Sequence, residues 1–186
     1  MKRFCAVASL LVMLCGCGKK NETLDEALRF RDRLLGGSGC SFDSEITADY
    51  GDEVQCFSLS LSADAKGDAT FLVTEPEAIR GISGTIKQTG AAFTFDDAIV
   101  AFPMLADGQI APVAAPWIVL NSLRCGYISS AGREGEATRL TLLDSFEDET
   151  LMIDVWFDEQ WLPVRGEILY KDIKILTLLL ENFTIV

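Results

Sequence analysis

The residue pattern predicts an α+β fold: a curved antiparallel β-sheet wrapping an N-terminal helix and a mid-chain helical lid. Three observations carry that prediction. Many short runs alternate apolar and polar residues with period two, separated by turn residues. One early run repeats its apolar residues at helical spacing. One mid-chain run is apolar, broken by prolines, and longer than a connection needs. Consecutive strands joined by tight turns pair antiparallel, and a long curved sheet buries its concave face on the helices.

The first segment stands outside that fold. Lys2 and Arg3 precede an apolar run from Phe4 to Leu14, closed by Leu14-Cys15-Gly16-Cys17. This is the layout of a secretory leader, and its ending fits the bacterial lipobox: leucine at minus three, a small residue at minus one, then cysteine. Gly16 supplies the small group that cleavage requires, so Cys17 is the expected site of acylation, palmitate being a typical chain. Cys15 follows bulky Leu14 and is the weaker candidate. A membrane-spanning helix would need about 20 apolar residues, more than this run holds. The expected division is therefore 1–16 leader, 17–22 lipidated tether, and 23–186 a single domain. Each acyl methylene buried in lipid contributes about 0.8 kcal/mol of attachment. The expected location is the cell envelope, anchored by lipid to the outer face of a bacterial membrane.

Within the domain, Thr23-Leu24-Asp25-Glu26 is a capping-box sequence. It predicts a helix over 24–35 with Leu24, Ala27, Leu28, Leu34 and Leu35 mostly on one face, ended by Gly36-Gly37. From Cys40 the period becomes two. Phe42, Ile46, Ala48 and Tyr50 alternate with polar residues up to the turn at Gly51-Asp52. Phe57, Leu59 and Leu61 then alternate with Ser58, Ser60 and Ser62, the pattern of a half-buried strand. Ala69, Phe71 and Val73 mark the next strand, Pro76 to Ile79 a helical turn, and 84–89 and 92–95 two shorter strands.

Ala98 to Val119 is the apolar stretch, and it carries Pro103, Pro112 and Pro116. Prolines at that density exclude a central strand, so a covering segment of loop and short helix is expected, with 117–123 helical after Pro116. Such a segment either gates a cavity or closes a core. Strands resume at 127–129, around Leu140 and Leu142, and at 151–157, 164–170 and 173–183. The last is apolar at Leu176, Leu178, Leu179 and Leu180, which predicts cover on both faces.

Composition excludes several chemistries. The net charge is −12, from 16 basic and 28 acidic residues, and loss of the leader removes two of the basic ones. Nucleic acid is therefore not an expected partner. The chain contains no histidine, so neither a Ser-His-Asp nor a Cys-His centre exists, nor an imidazole-based zinc site. Asp96-Asp97 and Glu147-Asp148-Glu149 lack the spacing of a calcium loop and read as solvated turns. No catalytic residue, metal ligand or cofactor is expected. Cys40, Cys56 and Cys125 remain beside Cys17. Cys40 and Cys56 flank the first predicted hairpin and are the expected disulfide of an exported chain. Three buried thiols are the alternative.

The C-terminal third carries Asp154-Val155-Trp156-Phe157-Asp158, Leu162-Pro163-Val164-Arg165, Glu167-Ile168 and Glu181-Asn182-Phe183. An aromatic strand, an Asp turn, a Leu-Pro, a polar strand and a terminal Asn-Phe resemble the LolA/LolB-like lipoprotein-carrier superfamily. That resemblance implies an incomplete antiparallel barrel with helices in its mouth. It also implies a non-catalytic protein that binds a lipid or a lipidated client in the concavity. Phe57, Leu59, Leu61 and Phe71, with Trp117 and Trp156, are the candidate ligand-binding residues. An adaptor is the other expectation: its concavity would be filled by its own side chains, and its outer surface would bind an envelope protein.

Overall fold

The structure is a computed structural model describing residues 22–87, 90–95, 104–145 and 150–186. The leader, the acylation candidate Cys17, the tether up to Asn21, Asp96-Asp97, the first part of the apolar stretch at 98–103 with Pro103, and the acidic turn at 147–149 lie outside the described residues.

Helix α1 spans Glu22–Gly36. Strands β1 (Gly39–Asp49), β2 (Val54–Asp64), β3 (Ala69–Glu75), β4 (Ser83–Lys87) and β5 (Gly90–Phe95) follow. Helix α2 (Ala115–Cys125) precedes β6 (Tyr127–Glu134), β7 (Ala137–Leu143), β8 (Leu151–Phe157), β9 (Pro163–Tyr170) and β10 (Ile173–Ile185). Among the described residues ten strands form one sheet in the order β5-β4-β3-β2-β1-β10-β9-β8-β7-β6. Every neighbouring pair is antiparallel. The first and last strands thus join at the centre, and a wing of successive hairpins extends to either side. β5 and β6 are the two edges, so the sheet is open.

Period-two patterning decides which face is buried. Phe42, Ser44, Ile46 and Ala48 of β1 point inward beside Phe57, Leu59, Leu61 and Ala63 of β2. Leu140, Leu142, Ile153, Val155, Phe157 and Ile168 do the same on the other wing. One contiguous core joins these residues to both helices.

Three expectations change. Helix α1 begins at Glu22, so Thr23 sits in its first turn instead of capping it. Its buried face is Ala27, Phe30 and Leu34, while Leu28 and Leu35 are exposed; the spacing i, i+3, i+7 selects that stripe. β10 is covered on one face only, because Leu176, Leu178 and Leu180 are buried whereas Leu179 is 47% exposed. A central strand of an open sheet has its outer side bare unless another layer packs there.

β10 also contains a bulge. Its register with β1 slips between Ser41 and Asp43, and Asn182 takes up the extra residue with φ +55. Asparagine tolerates that left-handed backbone better than most residues. Its amide donates to Asp43 Oδ2 at 2.8 Å, while Ser60 donates to Oδ1 at 2.6 Å. These two bonds, Ser60 first, hold the Asp43 carboxyl below the usual carboxylate range.

Candidate functional site

The concave face and the segment that covers it form the most developed site. Residues 104–125 enter as a tight loop closed by a Leu105–Ile110 bridge. Ala106 and Asp107 adopt positive φ, and Gly108 follows at +88. A short turn of 3-10 helix at Pro112–Ala114 then leads into α2. Leu105, Ala106, Ile110, Ala111, Val113, Ala114 and Ala115 are all buried. The alanines bring this backbone close to the sheet, and the cover becomes part of the core. The concavity is filled by the protein's own side chains.

Helix α2 packs on the second wing, against β7, β8, β9 and β10. Gly166 of β9 makes room there, since a Cβ at that position would stand 3.1 Å from the Val119 side chain. Polar ties fasten the rest of the cover. Asp107 accepts hydrogen bonds from Tyr170 Oη at 3.1 Å and from Lys171 Nζ at 2.9 Å. The Lys171 and Tyr170 bonds hold the Asp107 carboxyl below its ordinary range, and Asp107 in turn holds the Lys171 amine above its own. Trp117 Nε1 donates to the Gly67 carbonyl at 3.0 Å. Arg124 Nη2 donates to the Ala65 carbonyl at 2.7 Å. Arg31 of α1 donates from Nε to Leu123 O and from Nη2 to Gly126 O, each at 2.8 Å. It thereby satisfies carbonyls at the C-terminal end of α2 that the helix leaves open.

Phe57, Leu59, Leu61 and Phe71 lie buried on the concave face, and Trp117 lies half-buried in the cover. Trp156 is not among them. Its neighbours Val155 and Phe157 point inward, so alternation sends its indole to the convex side. There it lies between the guanidiniums of Arg139 and Arg165, 5.7 and 4.8 Å from the ring centre, and donates to Glu134 Oε2 at 3.0 Å. Trp161 is half-buried against Phe157, ring centres 5.3 Å apart.

The expected disulfide does not form. Cys40, Cys56 and Cys125 are free thiols. In the β1–β2 register Cys40 faces Ala63 while Cys56 faces Thr47, which separates them by roughly 23 Å along the hairpin at about 3.3 Å per residue. Cys40 points into the core and Cys56 is exposed. A disulfide needs Cα atoms within about 7 Å. Burial pushes the Cys40 thiol up to about 11, with the nearby Arg124 charge opposing.

Arg31, Asp107 and Arg124 went unnoticed in the sequence. Arg124 left a signal: it is the one charged residue in an otherwise uncharged helix, APWIVLNSLRC. Ser44 Oγ and Arg124 Nε are buried polar atoms with no hydrogen-bond partner. A second cleft, of about 640 Å³, lies at the rim between α1 and the turns after β6 and β8. Glu22, Asp25, Arg29, Arg133 and Asp158 line it, which makes it a charged, open site. Among the described residues no group of three or more His, Cys, Asp or Glu could hold a metal ion. No helix among them is long and apolar enough to cross a membrane.

No family model matches the chain, and no curated protein matches it. Among solved structures it is similar to a LolA superfamily protein from Nitrosomonas europaea, at 7% identity, with 88% of this chain and 94% of that one covered and a TM-score of 0.40. It is similar to a DUF1329 family protein from Desulfovibrio piger at 9% identity, covering 87% and 90%, with a TM-score of 0.42. It is also similar to MucB at 8% identity, covering 87% of this chain and 59% of MucB, with a TM-score of 0.45. At such identities and TM-scores these likenesses carry no argument, and the site rests on this chain's own geometry.

Proposed function

We propose that this is a non-catalytic binding protein of a bacterial cell envelope, held at the membrane by acylation of Cys17. Its client is an acyl chain or a lipidated protein, taken up between the concave face and α2. One observation carries the reading: the apolar concave face is closed by a segment that joins no strand of the sheet and is fastened at its ends by side-chain hydrogen bonds. Such bonds contribute about 0.5–1.5 kcal/mol each, small against the gain from burying an acyl chain at about 25 cal/mol per Å². A client can therefore compete for the space beneath the cover.

The test uses the full chain with Cys17→Ala, released from the envelope and examined by native mass spectrometry. Co-purified lipid, lost on extraction and regained on adding it back, is the expected result. A protein that neither carries nor takes up lipid overturns the reading. The acylation half is tested separately, by incorporation of labelled palmitate into the wild type and not into Cys17→Ala.

A second reading has its own support. The filled concavity and the half-buried Trp156 held between two arginines on the convex side suit an adaptor that docks an envelope protein there, since tryptophan and arginine dominate binding hot spots. Crosslinking through the convex face, abolished by Trp156→Ala, favours this adaptor.

A further inference from the structure

The covered concavity contains a charge that no described residue neutralises. Arg124 is 8% exposed, and its one hydrogen bond is to the Ala65 carbonyl. Its Nε is buried and has no partner. A guanidinium is always charged and carries five donors, and a charge taken out of water without an anion is costly. The side chains opposite it are small. Cys40 faces Ala63, and Ala63 faces Ala69, across β1, β2 and β3; Ile86 of β4 continues the row. All four are buried. The Arg124 charge lies near enough to Cys40 to act on its thiol. Trp117, two turns earlier on α2, reaches the same β2–β3 turn. Among the described residues the cation is therefore unpaired, above the small side chains of Cys40, Ala63 and Ala69, with the larger Ile86 at the end of the row.

We propose that Arg124 is the headgroup site for the client: it pairs with the anionic head of a lipid, a long-chain carboxylate in the simplest case. The tail lies between α2 and the row Cys40, Ala63 and Ala69. This deepens the preceding reading and rests on it. The planar guanidinium matches a carboxylate or phosphate with two parallel N–H bonds, and Nε is the donor left over for the second of them. A purely structural tie to the Ala65 carbonyl would need one neutral donor, not a permanent charge. A neutral lipid with the same tail would leave that charge uncompensated.

The experiment uses the delipidated full chain with Cys17→Ala, and three probes: palmitate labelled with 13C at the carboxyl, hexadecanol, and inorganic phosphate. Palmitate is expected to bind at least tenfold more tightly than hexadecanol. Arg124→Met is expected to remove that preference, weakening palmitate at least tenfold while leaving hexadecanol within twofold. The carboxyl 13C shift of bound palmitate should report an ionised head in the parent and lose that signature in Arg124→Met, and Arg124→Lys should restore part of it. Equal loss of both probes, or of neither, overturns the headgroup assignment. Phosphate alone binding as tightly as palmitate overturns the lipid source and leaves a free anion as the ligand. Failure of both palmitate and hexadecanol in the parent overturns the client site itself, a result distinct from lost head selectivity. Without ligand, Arg124→Met should melt at or above the parent temperature, and a clear fall would mark the guanidinium as structural and sink the assignment.

Discussion

The two wings of the sheet meet the cover in different ways. On β6 to β10 the contact is mainly packing, with one polar tie from Asp107 to Tyr170 and Lys171. α2 rests on four strands and Gly166 admits Val119, while Phe30 of the other helix, α1, stands edge-on to Phe157 with ring centres 5.0 Å apart. On β1 to β3 the row Cys40, Ala63 and Ala69 is small, and α2 reaches across it to two backbone carbonyls. One side is a seat and the other a latch. Apolar packing and hydrogen bonding differ in how easily a ligand can replace them, so the latch side is where the proposed client would gain entry at least cost.

Substitutions can break or sharpen that contrast. The largest effect belongs to the seat: Phe157→Ala is expected to destabilise the domain by about 3–5 kcal/mol, read from urea unfolding. If it costs less than 1 kcal/mol, the second wing is not the anchoring one. Gly166→Val should cost about 1–3 kcal/mol by overpacking, whereas Gly132→Ala, with nothing within 4 Å of the new Cβ, should change stability little. At the latch, Trp117→Phe keeps most of the apolar area and drops the bond to Gly67, a loss of about 0.5–1.5 kcal/mol. Its sharper signature is hydrogen exchange: amides of 115–125 should exchange faster while those of β8 and β9 stay protected.

Acid supplies a gentler probe. The folded-state pKa of Asp107 is depressed by Lys171 and Tyr170. Its stabilising contribution is therefore complete above the unfolded value of about 3.9 and is lost as pH falls through the folded value. Exchange of the 104–110 amides should rise on acidification below about pH 4, and Asp107→Asn should show the faster exchange already at neutral pH. The smallest effect is chemical. At pH 8, iodoacetamide should label exposed Cys56 and Cys125 and spare Cys40, whose buried thiol is raised to about 11. Protection of Cys56 in a non-reduced sample, relieved by reductant, would restore the disulfide.

How much of this could be read in advance follows from what is local. Alternation in β2 is a property of consecutive residues, so its inward row Phe57, Leu59 and Leu61 was legible. So was the cover, because prolines and apolarity mark a segment that cannot join a sheet. Its filling of the concavity was not legible, because volume depends on ten strands at once. The Cys40–Cys56 pairing failed for a related reason: β1 and β2 are long enough that the two thiols sit at opposite ends of the hairpin, on opposite faces. The bulge at Asn182 depends on its reach to Asp43, 139 residues away in sequence. Arg124 was visible all along as a lone charge in an apolar helix, and only its burial gave that oddity a meaning.

The seam at the middle of the sheet joins Cys40 to Ile185. Each wing can zip up from short hairpins as it emerges, but the bond between the wings waits for the final strand. Closing so long a loop is slow relative to local pairing. A nascent polypeptide therefore cannot knit its centre prematurely, and the finished domain snaps shut only after the last strand has been made.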